Sequence, residues 1–262
     1  MASDKMISKK QDGVGWMILN NPERHNAISL EMWEAALEIM ADFSADPAVR
    51  VMVLTGAGGK AFASGADISK FKDERQEAAA LAHYQAITQR AYEAVQAMPI
   101  PTIAMIRGYC IGGGTAVAVC CDMRICTENS KFGVPAAKLG LGYGLNRARP
   151  LVDLIGPAFA KEMFFTGRQF SAAEAERMGL VNRVVADGEL EATVEEMART
   201  IAENAPLTVR CSKLVVREAL KDAQDRDVAA TEAAVQACFA SSDYKEGQAA
   251  FMEKRKPRFT GA

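Results

Sequence analysis

Apolar positions change their spacing several times along this chain, and each change marks an element. Two short alternating runs, 6–10 and 15–20, flank Asp12-Gly13 and predict a hairpin. Behind Ser29, a suitable N-cap, Met32, Trp33, Ala36, Leu37 and Met40 recur at helical spacing and predict a helix from 30 to about 43. Asp46-Pro47 closes that unit, and 49–54 is a continuous apolar run of the kind a buried strand shows. After a loop carrying Gly56, Gly58, Gly59 and Gly65, a long helix is predicted over 76–98 and stopped by Met98-Pro99-Ile100-Pro101. A strand over 102–107, a turn on three glycines, a helix to about Cys121 and a strand over 123–126 follow. Beyond Pro150 the spacing is mainly helical, at 157–165, 171–178, 187–204, 207–222, 227–241 and 244–254, with one strand at 180–185.

Strands and helices alternate through the first two-thirds, which predicts an α/β architecture with parallel pairing. The helical last third has no strands of its own, so it is expected to dock on the core or on another subunit. Length and composition fit this plan. With 262 residues and 49% apolar content, the chain can bury a sizeable core in one large domain or one domain plus an appendage. A formal net charge of -2 argues against nucleic acid as the main partner. No apolar run reaches the roughly 18–20 residues of a membrane span. The first eleven residues lack the apolar stretch of a signal peptide, so a cytoplasmic location is expected. The six cysteines form no Cys-x-x-Cys pair and the chain has 2 histidines, His25 and His83, so no metal site is expected.

The segment richest in chemistry is Gly112-Gly113-Gly114, between the 102–107 strand and the apolar run Thr115-Ala116-Val117-Ala118-Val119. A strand that turns on glycines into a helix leaves unpaired N–H groups at the helix start, able to hold a phosphate or an oxyanion. Glycines there also permit close approach of two backbones, and the triplet alone leaves both readings open. A second glycine motif lies upstream, Ala61-Phe62-Ala63-Ser64-Gly65-Ala66-Asp67-Ile68.

Together the two motifs, followed by Cys121-Asp122-Met123-Arg124-Ile125, resemble the crotonase superfamily, the enoyl-CoA hydratase/isomerase family. Further matches run in order along nearly the whole chain, from Asn21-Pro22-Glu23-Arg24-His25-Asn26-Ala27-Ile28 through Phe132-Gly133-x-Pro135 and Phe165-Thr166-Gly167 to Glu246-Gly247 and Lys254-Arg255-Lys256-Pro257. The resemblance implies a spiral of strand–strand–helix repeats over 1–200 and a helical oligomerisation region over 201–262, assembling homotrimers or homohexamers. It implies an acyl-CoA thioester as substrate, with coenzyme A entering as part of it and no separate cofactor. The thioester carbonyl would sit between the N–H groups of Ala66 and Gly113. Residues Ala66, Asp67, Ile68 and Ser69 would line the pantetheine path, with Arg24 and His25 near the nucleotide. Phe251 and Lys254 would come from the C-terminal helix, in some members to a neighbour's site.

One departure changes the expected chemistry. Hydratases of the family position water with two glutamates, and this chain carries Ala116 and Ala136 at those places. Adding water needs a base for the water and an acid for the α-carbon, and alanine is neither. The Gly144 position, an aspartate in dienoyl-CoA isomerases and a dehalogenase, is also without an acid. Leu139-Gly140-x-x-Tyr143-x-Leu145 is similar to the tyrosine segment of methylmalonyl-CoA decarboxylase, which keeps a glutamate at the place of Ala116. Tyr143 can therefore be an orienting donor for a carboxylate or a packing residue beside the acyl pocket. Arg147 can pair a substrate carboxylate or cap a helix. The expected function is an oxyanion-stabilised enolate reaction other than ordinary hydration, with decarboxylation assisted by Tyr143 as one candidate. An acyl-CoA-binding protein without catalysis is the alternative. Ser64, Asp122 and His83 are read as structural or surface residues.

Overall fold

In a computed structural model that describes residues 4–67 and 78–262, β1 (Met6–Gln11) and β2 (Val14–Leu19) pair antiparallel across Asp12-Gly13. Both turn residues have positive φ, 52° and 80°, the geometry that matches the strands' twist. From β3 (Val51–Gly56) onward the chain repeats one unit: a strand, a short second strand, a helix. The first turn is β3, β4 (Ala61–Ala63) and, after the undescribed segment, α2 (Ala78–Ala97). The next is β5 (Thr102–Ile106), β6 (Tyr109–Ile111) and α3 (Gly113–Ala118). The third is β7 (Met123–Thr127), β8 (Lys131–Gly133) and, past a 3-10 turn at Pro135–Leu139, α4 (Leu145–Thr166). The first strand of each turn joins a six-stranded sheet, order β1-β2-β3-β5-β7-β10, in which all pairs after β1–β2 are parallel. The second strand joins a four-stranded sheet, order β4-β6-β8-β9. The expected spiral of strand–strand–helix repeats is thus the observed one. Strand β9 is Phe170–Ser171 and β10 is Arg183–Val185.

Both faces of the sheet's central strands are covered, which is why β3 and β5 read as continuous apolar runs. Met52, Leu54, Ala104 and Ile106 face α1 (Leu30–Ala45) and α2, whereas Val51, Val53, Ile103 and Met105 face α6 (Leu190–Glu203). Ser29 caps α1 as expected, its side chain accepting from Met32 N at 3.4 Å. After α5 (Ala172–Arg177) and α6, the chain ends in α7 (Pro206–Ala219), α8 (Val228–Ala240) and α9 (Ser242–Met252).

Several expectations need correction. The four strands of the small sheet have no counterpart in the sequence reading, because runs of two or three residues are too short to show a period. The helix expected over 157–165 is the second half of a longer one. Helical structure begins at Leu145 and is broken at Gly156 (φ 72°, ψ 166°), and Pro150 obscured its first half. The helix expected to run to Cys121 ends at Ala118. Tighter i→i+3 bonds, Cys120 N to Val117 O and Cys121 N to Ala118 O, continue it. The buried Arg124 then donates to the carbonyls of Ala118, Cys121 and Leu180, satisfying that end of the turn. Asp122 is structural, as expected: it accepts from Thr102 N, Thr102 Oγ1 and Lys213 Nζ.

Candidate active site

Two loops are brought together by backbone contacts, and their composition explains the contact. The loop 64–67 is laced to residues 24–28. Ser64 N donates to His25 O (2.9 Å), Ile28 N to Gly65 O (2.8 Å) and Asp67 N to Ile28 O (3.1 Å). Ser64 Oγ donates to Arg24 O, so that hydroxyl is occupied structurally, as expected. Arg24 also pairs the buried Asp67 at 3.3 Å. Asn26, in a left-handed conformation, accepts from Asn21 N and donates to Ala57 O and Ala61 O, tying β4 to the same loop. Ala66 forms a parallel bridge with Ile28 in which its two neighbours make the bonds. In that pattern the N–H of the middle residue points the other way, here toward the glycine triplet.

The three glycines of that triplet have three different reasons. Gly112 adopts φ 58°, ψ −114°, closed to residues with a side chain, while its N–H donates to Gly133 O (2.7 Å). A Cβ on Gly114 would collide with Ala63, so its lack of a side chain lets α3 press onto β4. Gly113 has ordinary backbone angles, and a Cβ there would lie 3.6 Å from Ala66 N and 3.5 Å from the Tyr92 hydroxyl. It stands at the first position of α3, where an N–H has no partner within the helix. Neither Ala66 N nor Gly113 N donates to an acceptor among the described residues, and both residues are half-buried. Close packing and a pair of free donors, the two readings open at the sequence level, are therefore both present in one turn.

The wall beside these donors carries two phenols, Tyr92 and Tyr143, and the Arg147 guanidinium. Ala116 is buried one turn into α3. Ala136 is half-buried in the 3-10 turn. Tyr143 packs at 4.9 Å on Phe164, and burial pushes its hydroxyl up to about 12. Tyr92 of α2, absent from the sequence reading, is 6% exposed, and burial raises its ionisation well above the usual tyrosine value. Its place on the apolar face of α2 made it indistinguishable from a core aromatic by spacing. Arg147 lies over the Tyr92 ring, its guanidinium carbon 5.6 Å from the centroid. Arg147 belongs to the first turn of α4, where a cation is disfavoured by the helix dipole, so it does not act as a cap. Burial likewise pushes the Cys120 thiol up to about 12, and it points at Ala116 O (3.2 Å). The groups whose charges reach Tyr143 are Arg147 and Cys120, with no carboxylate among them. Among the described residues this wall can donate hydrogen bonds at neutral pH, and its two phenols and the Cys120 thiol stay protonated there.

The remaining expected residues are scattered. His25 is exposed, 6.2 Å edge-on from Tyr109, on the same loop as Arg24. Ile68 and Ser69 lie outside the described residues. Phe251 is 84% exposed at the end of α9, and Lys254 follows it with φ 55°. The structure does not bring these two to Ala66 or Gly113. Phe251 lines a cavity of about 930 Å³ between α7, α8 and α9.

The model of the enoyl-CoA hydratase/isomerase family matches residues 9–262. The chain is 36% identical to a crotonyl-CoA hydratase of Syntrophomonas wolfei over 99% of both chains. It is 33% identical to a short-chain-enoyl-CoA hydratase of Clostridium acetobutylicum over 98% of this chain and 97% of that one. A crystal structure of an enoyl-CoA hydratase/carnithine racemase from Magnetospirillum magneticum superposes with a TM-score of 0.94 at 37% identity, covering 99% of this chain and 97% of that one. The fold and the two-loop site define a crotonase-superfamily protein. The chain belongs to the enoyl-CoA hydratase/isomerase family.

The open space at Gly113 gives a direct test. Gly113→Ala adds a methyl group at ordinary contact distances, so the melting temperature changes little. The methyl group occupies the ground between the two donors. Titration calorimetry with crotonyl-CoA is expected to show at least about tenfold weaker binding; unchanged affinity contradicts the placement of the thioester there.

Proposed function

We propose that this chain is an acyl-CoA enzyme that forms an enolate between the Ala66 and Gly113 N–H groups without adding water. The observation that carries this reading is the pairing of two neighbouring N–H groups that donate to no described residue with alanine at 116 and 136. An enolate of a thioester concentrates negative charge on one oxygen, and two preorganised donors stabilise it by several kcal/mol, about 3–4 for each donor lost. Water addition needs in addition a side chain that takes a proton near neutral pH, and the phenols and thiols beside the donors stay protonated.

Loss of CO₂ from a malonyl-type thioester fits such a site. The bond from the α-carbon to the carboxylate breaks, its electron pair enters the enolate, and CO₂ departs. A proton from solvent or a phenol then completes the α-carbon. Tyr143 would hold the carboxylate perpendicular to the thioester plane by a hydrogen bond, an effect of geometry rather than of base strength. Arg24, His25, Ala66, Asp67, Ile68 and Ser69 are proposed for the coenzyme A path, with no cofactor beyond the coenzyme in the substrate. The alternative, a thioester-binding protein without catalysis, is favoured by the same two alanines.

The cytoplasm is the proposed location; among the described residues no helix is long and apolar enough to cross a membrane. A homotrimer or homohexamer built by 201–262 is proposed as the assembly. Two observations support it: α8 buries none of its residues within the chain, and Phe239, Phe251 and Met252 are exposed. In such an assembly Phe251 and Lys254 would serve a neighbour's site. Light scattering should give the mass of three or six chains; a single-chain mass contradicts the assembly.

The reaction is tested by incubating the chain with enoyl, malonyl-type, β-keto and aryl CoA thioesters and following products by mass spectrometry. CO₂ loss from a malonyl-type thioester is expected, and Tyr143→Phe should lower its rate at least tenfold. An unchanged rate removes Tyr143 from the mechanism. Binding without any turnover decides for the binding-protein alternative.

A further inference from the structure

Tyr92 sits on the buried face of α2, with Tyr84, Thr88, Ala91 and Val95. Its hydroxyl reaches the glycine turn. A Cβ built on Gly113 would meet that hydroxyl at 3.5 Å and Ala66 N at 3.6 Å, so both polar atoms border the same small space. The Gly113 N–H opens beside it, 3.5 Å from where a Cβ on Gly65 would stand. Three hydrogen-bond donors thus converge on one point, from three different elements.

The hydroxyl makes no hydrogen bond to a described residue, although Tyr92 is 94% buried by the complement of its 6% exposure. The hydroxyl is not among the enclosed polar side-chain atoms left without a partner, so its oxygen opens to the space at the glycine turn, where a ligand can supply an acceptor. The ring itself is held firmly. Trp33 packs edge-on at a centroid distance of 5.1 Å, and the Arg147 guanidinium lies over the ring at 5.6 Å. Arg147 forms no ion pair with a described residue, and its guanidinium lies over the ring.

We propose that the Tyr92 hydroxyl is a third donor to the thioester carbonyl, alongside the Ala66 and Gly113 N–H groups, with Arg147 and Trp33 as the residues that position its ring. The proposal rests on the thioester reading of the site and adds a side-chain donor to it. Such a donor differs from the backbone pair in one useful respect: it can be deleted without touching the main chain. It also bears on the missing acids. A site that cannot move protons gains most by polarising the carbonyl more strongly, because stabilisation of the enolate is then its principal means of lowering the barrier. Tyr143, Arg147, Tyr84 and Cys120 are the charged or titratable groups acting on Tyr92. Burial outweighs them and keeps the phenol neutral, a donor through the whole neutral range.

The experiment compares wild-type protein with Tyr92→Phe, using crotonyl-CoA labelled with ¹³C at the thioester carbonyl and infrared difference spectroscopy of the bound carbonyl stretch. Wild-type protein is expected to shift the stretch to lower frequency, and Tyr92→Phe to move it back toward the free value while binding about fivefold more weakly. The ring contacts survive this change, so the melting temperature should hold. Arg147→Gln, which leaves the hydroxyl in place, should shift the band part of the way, and it serves as the second variant should Tyr92→Phe fail to fold. Identical carbonyl bands in wild type and Tyr92→Phe, or in wild type and Arg147→Gln if only that variant folds, would overturn the role of Tyr92 and leave the backbone donors standing. Failure of the wild-type protein to bind crotonyl-CoA or any other thioester of the panel would instead overturn the thioester reading, and the third donor with it.

Discussion

The site depends on the contact of two stretches of main chain, 64–67 and 112–114, too close for side chains between them. That contact needs Gly112 for its dihedral angles and Gly114 for its lack of a Cβ against Ala63. It needs the Ala66–Ile28 bridge to turn one N–H away from the loop's other bonds. Thr115 locks the turn from beneath, its hydroxyl 2.6 Å from Cys110 O and 3.1 Å from Gly133 O. Ser64, Asp67 and Gly112 commit their N–H groups to structural bonds, whereas those of Ala66 and Gly113 donate to no described residue. Backbone donors held this way need no reorganisation when charge develops on a substrate oxygen, which is the physical basis of their catalytic value.

Charge stabilisation and proton transfer are separable tasks, and the function proposed for this chain separates them. The first is a matter of main-chain geometry, set here by Gly112 and Gly114. The second belongs to individual side chains, and the proposal rests on alanine standing at 116 and 136. Among the described residues, what stands nearby is the buried Tyr92 under the Arg147 guanidinium and the half-buried Tyr143, phenols that stay protonated near neutral pH. The relatives named as hydratases show the family and the class of enzyme, and the proposed departure from hydration rests on this chain's own alanines at 116 and 136.

Much of this was legible in the residues. The large sheet announced itself through long apolar runs such as Val51–Gly56, and α1 through its Ser29 cap and helical spacing. The Ala66–Gly113 pair was legible because two glycine motifs in the right order resemble one family, whereas either alone was ambiguous. The small sheet was not legible: its strands Ala61–Ala63, Tyr109–Ile111 and Lys131–Gly133 are shorter than any recognisable period, and only the tertiary pairing makes them strands. Tyr92 was hidden for the opposite reason. It obeys the helical spacing of α2 so well that nothing marks its hydroxyl as different from a core aromatic, and only the approach of Gly113 to that oxygen does. Arg147 had two readings, and its place in the first turn of α4 removes the helix-cap one.

The sharpest single measurement is hydration of crotonyl-CoA by the purified native chain, followed as loss of the enoyl absorbance. A site that stabilises charge without moving protons leaves crotonyl-CoA bound and unhydrated, with no rate above background. Turnover on the order of 10 s⁻¹, ordinary for an enzyme on its own substrate, would contradict the separation of these two tasks in this chain.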